Sequence, residues 1–121
     1  MKSENVVKEK SLRFAIRMVK FVRYLNQKTH WSEQIICHQI LKSGTSIGAN
    51  VREAEHAEST TDFIHKLKIA LKEANETEYW LRILYESNYI TSQEFESMNS
   101  DCAELNKLLI AIITNLNKKN N

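Results

Sequence analysis

Residues 42–57 read KSGTSIGANVREAEHA, and they hold Gly44 and Gly48, the two glycines of a 121-residue chain that has no proline. Residues four apart lie one above the other on a helix face. A glycine in a helix interior costs about 1 kcal/mol relative to alanine. Two glycines stacked in one turn, with Ser43, Ser46 and Ala49 beside them, therefore point to packing: small residues that let a second backbone come unusually close. SGTSIG can also be read as a loop, because its turn formers can end one helix and begin the next. Ile47, Val51 and Ala54 carry a helical apolar spacing through the stretch, which favours a continuous or kinked helix. Gly44, Ser46, Gly48 and Asn50 form the candidate packing motif.

On the N-terminal side, Ile35, Ile36, Ile40 and Leu41 extend this helix back to Ser32, a candidate N-cap with Glu33 favourably placed near the helix dipole. Its expected end is near Glu58. Thr29 to Ser32 reads as a connection to a first helix from about Ser11 to Gln27, where Phe14, Met18, Phe21 and Leu25 form an apolar stripe widened by Ala15 and Val22. Residues 1–10 read as a lead-in, with 1–9 either a frayed start or a short helical run. Ser59, Thr60 and Thr61 make the next turn, with Asp62 opening a third helix. There Phe63, Leu67, Ala70, Ala74, Thr77, Leu81 and Leu84 alternate steps of four and three, the seam of a packed helix. Ser87 to Ile90 is a short link, and Thr91 with Glu94 has capping-box spacing. A fourth helix follows to about Asn117 on Phe95, Met98, Cys102, Leu105, Leu109, Ile112 and Leu116, with 118–121 as a solvated tail. Four long amphipathic segments joined by short links predict an all-α, antiparallel up-down-up-down four-helix bundle over residues 11–117.

Composition agrees. Apolar residues make up 42% and charged residues 26% of the chain, an ordinary soluble balance for one domain. So few turn residues argue against an all-β fold. No apolar run is long enough to span a bilayer, and MKSENVVKEKS lacks a signal-peptide core. A bacterial cytoplasmic protein with no membrane partner is expected. Cys37 and Cys102 sit among apolar neighbours at helical spacing and read as core thiols rather than a disulfide or metal pair.

Two blocks, SGTSIGANVREAE at 43–55 and DFIHKLKIALKEANETEYWL at 62–81, resemble in order and separation the signature of the four-helix-bundle proteins encoded by intervening sequences in 23S rRNA genes. The resemblance covers roughly residues 11–90. It implies an antiparallel bundle that assembles as a homopentamer, in a family with no settled biochemical role. A related group, the accessory proteins of diversity-generating retroelements, uses the same bundle as a basic partner for nucleic acid and reverse transcriptase. Asn50, Glu53, Glu76 and Thr77 stand at motif positions of the family.

Chemistry is harder to find. Glu53-x-x-His56 and Asp62-x-x-His65 have the spacing of bundle metal sites. Such a site also needs inward carboxylates from the other two helices, and the first helix offers none between Lys10 and Lys28. Surface histidines beside acids, together with His30 and His38, are the better reading. Ser43 and Ser46 match neither a hydrolase elbow nor a phosphate-binding loop. No catalytic residue, metal or cofactor is expected. Thr77 lies on the core seam with Glu73 and Glu76 close by, and a carboxylate turned inward needs a partner. Asn50, Arg52, Glu53, Glu73, Glu76 and Thr77 are therefore a candidate structural network between the second and third helices, against solvated glutamates as the alternative. Tyr79, Trp80, Tyr85 and Tyr89 add amphipathic surface of the kind subunit interfaces favour.

The strongest electrostatic feature is Lys10, Arg13, Arg17, Lys20 and Arg23, part of a run from Lys10 to Lys28 with six basic residues and no acidic one. At helical steps these side chains can follow a phosphate backbone, and RNA or DNA binding with little sequence preference is the leading functional expectation. The competing expectation is an assembly scaffold or accessory protein-binding module. Glu94, Glu96, Asp101 and Glu104, or Glu53, Glu55, Glu58 and Asp62, can neutralise the same cations within the chain or across subunits. The plainest reading is a solvated helix face.

Overall fold

The structure, a computed structural model, describes residues 2–27 and 30–120. Four helices follow in order: α1 (Lys2–Asn26), α2 (Trp31–Ala54), α3 (Thr60–Glu86) and α4 (Ser92–Asn120). Each packs on the next, and α4 closes on α1 along the most sparsely packed of the four seams. The chain is an all-α four-helix bundle.

α2 passes through Gly44 and Gly48 without a break, and neither glycine has a positive φ. The helix reading of the SGTSIG stretch is thus the observed one. Both glycines face α1. A Cβ at Gly44 would lie 2.9 Å from Cγ of Met18, and one at Gly48 would lie 3.1 Å from the carbonyl oxygen of Ser11. Ser46 and Asn50 turn away from α1: the Ser46 hydroxyl donates to the Lys42 carbonyl at 2.7 Å, and the Asn50 amide donates to the Ser46 carbonyl at 2.8 Å. Of the four residues expected to pack helices, only the glycines face α1, Gly48 against its backbone and Gly44 against the Met18 side chain.

Helix ends follow local chemistry. Ser59 caps α3 by accepting from the Asp62 N–H at 3.0 Å. Thr91 and Glu94 form the reciprocal capping box, at 2.8 and 3.1 Å. After α3, Asn88 takes a left-handed conformation at φ 64° while the Tyr89 N–H closes on the Leu84 carbonyl at 2.9 Å, a position asparagine tolerates better than most residues. Four sequence boundaries need correction. α1 starts at Lys2 because Val7 is buried in the core, so the lead-in is helical. α2 starts at Trp31, and Ser32 is already helical, its hydroxyl bonded to the Glu33 carboxylate at 2.8 Å rather than capping. α2 ends at Ala54, short of Glu58. α4 continues into the expected tail as far as Asn120, and Lys118 and Lys119 suit the negative end of the helix dipole. Thr29, placed in the first connection, lies outside the described residues.

The core is aliphatic around Met18, Leu25, Ile40, Ile47, Leu67, Leu81, Leu105 and Leu109. Among the described residues three polar ones are fully buried with it: Ser11, Ser43 and Thr77. The Thr77 hydroxyl lies 2.9 Å from the Ser43 hydroxyl and 2.8 Å from the Glu73 carbonyl, and Ser43 lies 3.3 Å from the Ile40 carbonyl. Each hydroxyl thus keeps a helix carbonyl to donate to when its partner is deleted. Ser43→Ala and Thr77→Val are each expected to cost about 1 kcal/mol in denaturant unfolding, and the double variant less than the sum, since either single variant already removes the hydrogen bond the two share.

Cys37 and Cys102 are buried free thiols, as the apolar spacing predicted. Burial, then the charges of Glu78 and Asp101, push the Cys102 thiol up to about 12, and its Sγ donates to the Ala74 carbonyl at 3.3 Å. Burial, then Glu33, also raises Cys37. Neither offers a thiolate at neutral pH. The folded protein should leave both thiols unreacted with an aromatic disulfide reagent over a time in which the denatured chain releases the full absorbance.

Candidate interaction surfaces

The five cations of α1 do not form one face. With the core defining one side of the helix, Lys10 and Arg17 fall toward α4 and find acids there. The Lys10 ammonium is 3.2 Å from the Glu104 carboxylate. The Arg17 guanidinium bonds the Asp101 carboxylate and the Ser97 hydroxyl, and reaches the Ser97 carbonyl at 3.2 Å. These pairs lie across the sparse α1–α4 seam and set its register. Exposed pairs of this kind add little net stability. Arg13 pairs with Glu9 one turn back at 2.5 Å. Lys20 and Arg23 are exposed and make no ion pair among the described residues. Lys8, not part of the expected stripe, holds Glu55, just past the end of α2, at 2.7 Å and keeps that carboxyl below its ordinary range.

Beside the cations runs a feature the sequence reading missed. Leu12, Ile16 and Val19, at steps of four and three, stand 51%, 48% and 39% exposed. α1 is therefore apolar on two faces, one in the core and one outward, with Arg13, Lys20 and Arg23 along the outer one. The spacing was available as a signal, but the interleaved charges hid it.

The α2–α3 side has a different character. The Ser43–Thr77 contact and the Glu53–Lys66 pair at 3.7 Å set an antiparallel register that brings Ile35 level with the turn holding Ile83. Ile35 is 56% exposed, because α2 buries Cys37, Ile40 and Gly44 and turns Ile35 away from them. Ile69, Glu73, Glu76, Trp80 and Ile83 form a half-buried strip along α3, with exposed Tyr79 edge-on to Trp80 at 5.0 Å. The proposed network does not join here. Arg52 is two positions beyond Asn50, roughly 200° around the helix, and lines a shallow cleft with Lys8 and Leu12 on the α1 side. Asn50 is spent on its own helix, Glu53 pairs with Lys66, and Thr77 finds Ser43. Glu73 and Glu76 are left without an ion pair or side-chain hydrogen bond among the described residues. Burial and then the neighbouring Glu76 raise the Glu73 carboxyl above its ordinary value, opposed by Lys72 and Lys42. An acid shifted upward makes the charged form a burden on the folded chain at neutral pH, relieved as the pH falls.

The other flagged aromatics are internal: Tyr85 stacks on Phe95 at 4.9 Å under the Arg82 guanidinium, and the Tyr89 hydroxyl donates to the Leu25 carbonyl at 2.9 Å. His30, His38, His56 and His65 are exposed. Among the described residues no group of three His, Cys, Asp or Glu side chains is placed to hold a metal ion, and no helix is long and apolar enough to cross a membrane.

A solved structure described as a protein of unknown function from the S23 ribosomal protein family of Bacteroides thetaiotaomicron superposes with a TM-score of 0.85 at 57% identity, covering 93% of this chain and 98% of its own. No curated protein matches the chain. The profile of the 23S rRNA-intervening sequence proteins matches residues 3–111. Those residues take in the glycine-bearing helix and the α3 strip of half-buried acids and aromatics, and the chain belongs to the 23S rRNA-intervening sequence protein family.

Proposed function

We propose that this protein is a self-assembling bundle whose outer α1 face is covered by another copy of the chain, with the homopentamer implied by the family resemblance as its assembled state. The observation that carries this reading is the second apolar stripe of α1, Leu12, Ile16 and Val19, outside the core and flanked by cations. Contiguous aliphatic surface rimmed by charge is what association sites present. The pairing of Lys10 and Arg17 with α4 acids also supports it, because part of the basic stripe is spent inside the fold.

Nucleic-acid binding stands as a second reading, favoured by the outward Lys20 and Arg23, which make no ion pair among the described residues. RNA would then be held by Arg13, Lys20 and Arg23 rather than by all five cations.

Light scattering tests the first reading. The native protein should show a multiple of 14.1 kDa, and Ile16→Asp should return a monomer of unchanged helical content, because Ile16 supports no core contact. A native monomer sinks it. The second reading is tested by fluorescence anisotropy with a labelled structured RNA over a salt series. Binding that weakens linearly with the logarithm of salt, and is lost in Lys20→Glu/Arg23→Glu, would support it.

A further inference from the structure

We propose that the copies join head to tail, the outer face of α1 of one copy seating on the α2–α3 face of the next, with Lys20 and Arg23 reaching the neighbour's Glu73 and Glu76. The inference rests on the assembly reading above and adds which surfaces meet.

Charge argues against the simpler arrangement. An α1 face against its own copy would bring Arg13, Lys20 and Arg23 against a second set of the same cations, and like charges across an interface oppose docking. The α2–α3 face is complementary in both respects that matter. Glu73 and Glu76 are half-buried acids without an ion pair among the described residues, and Lys42 and Lys72, although near enough to act on Glu73, form none with it. They are three residues apart, as are Lys20 and Arg23, so each pair is separated by the same rise, about 4.5 Å, and the same turn about its helix. Next to the cations stand Ile16 and Val19; next to the acids stand Ile69, Trp80 and Ile83, with Ile35 across the groove. The docked pairs would relieve the half-buried acids while the aliphatic stripe is covered.

A contact between two different surfaces leaves one of each free on every copy, so it propagates until a ring closes. This distinguishes it from a two-fold contact, which stops at a dimer. It also gives a role to the α3 strip that the bundle itself does not use.

Charge exchange provides the test. Lys20→Glu/Arg23→Glu and Glu73→Lys/Glu76→Lys should each weaken self-association about a hundredfold or more, with helical content kept. The fourfold variant carrying both exchanges should regain the native mass. Native mass in both double variants overturns the inference and leaves assembly standing, whereas a native monomer overturns both. For a readout independent of variant folding, isotopically light and heavy native chains can be mixed, reassembled and treated with a zero-length carbodiimide. Light-to-heavy links from Lys20 to Glu73 or Glu76 support the head-to-tail contact. Light-to-heavy links of Lys20 confined to other segments overturn it.

Discussion

Gly48→Val should destabilise the bundle by about 2–3 kcal/mol, read as a lower urea midpoint at unchanged slope. The nearest heavy atom to an added Cβ is the Ser11 carbonyl oxygen at 3.1 Å, with its carbon at 3.3 Å. Both belong to a backbone held by the hydrogen bonds of α1, so neither can swing aside. Valine in a helix is nearly confined to one rotamer, and its branch cannot be turned away from α1 at will. The helical preference of valine over glycine, a few tenths of a kcal/mol, is too small to offset the separation of two packed helices. Gly48→Ala should fall much closer to native, because a full alanine advantage of about 1 kcal/mol meets a displacement of a few tenths of an ångström. An unchanged midpoint for the valine variant would mean that α1 and α2 do not meet through this notch.

The same comparison shows what was legible in the sequence. The seam of α3 from Leu67 to Leu84 could be read residue by residue, because one-sided burial imposes its period on the chain. The capping pair Thr91–Glu94 was equally readable, since partner and donor lie three residues apart. Ser11 was not. A serine near an expected helix start looks like a boundary, yet here it is buried where Gly48 brings α2 onto α1. The partners of the α1 cations were readable only as a group: Lys10 meets Glu104 and Arg17 meets Asp101, both in one of the two acidic segments that the sequence offered. Local spacing specifies which side of a helix a charge occupies, and only the closure of α4 on α1 specifies what it meets. For Glu73 and Glu76 the sequence left paired and solvated states open. The fold places them between the two, half-buried and without an ion pair among the described residues.

The second large effect is expected at the other glycine, and its sign depends on a partner of opposite kind. Met18 is fully buried, and a Cβ on Gly44 would lie 2.9 Å from its Cγ and 3.0 Å from its Cε. Met18 thus fills the notch that the missing side chain leaves in α2. Met18→Ala should cost about 3–4 kcal/mol, toward the upper part of the usual range, since Gly44 has no side chain that can relax into the space. Gly44→Ala alone should cost about 1–2 kcal/mol: the methyl meets Met18 at its Cγ, near the backbone end of a buried side chain, so methionine's adaptability and alanine's helical preference offset only part of the crowding. Combined, the methyl at 44 should occupy part of the cavity left at 18. The double variant should then be more stable than the two single losses predict, by about 1–2 kcal/mol of coupling. Additivity within about 0.5 kcal/mol would show that methionine and glycine do not share this space. Gly48 has no such rescue from a side chain, because what it faces is backbone. Two glycines four residues apart on one helix thus differ in tolerance according to what α1 sets against each.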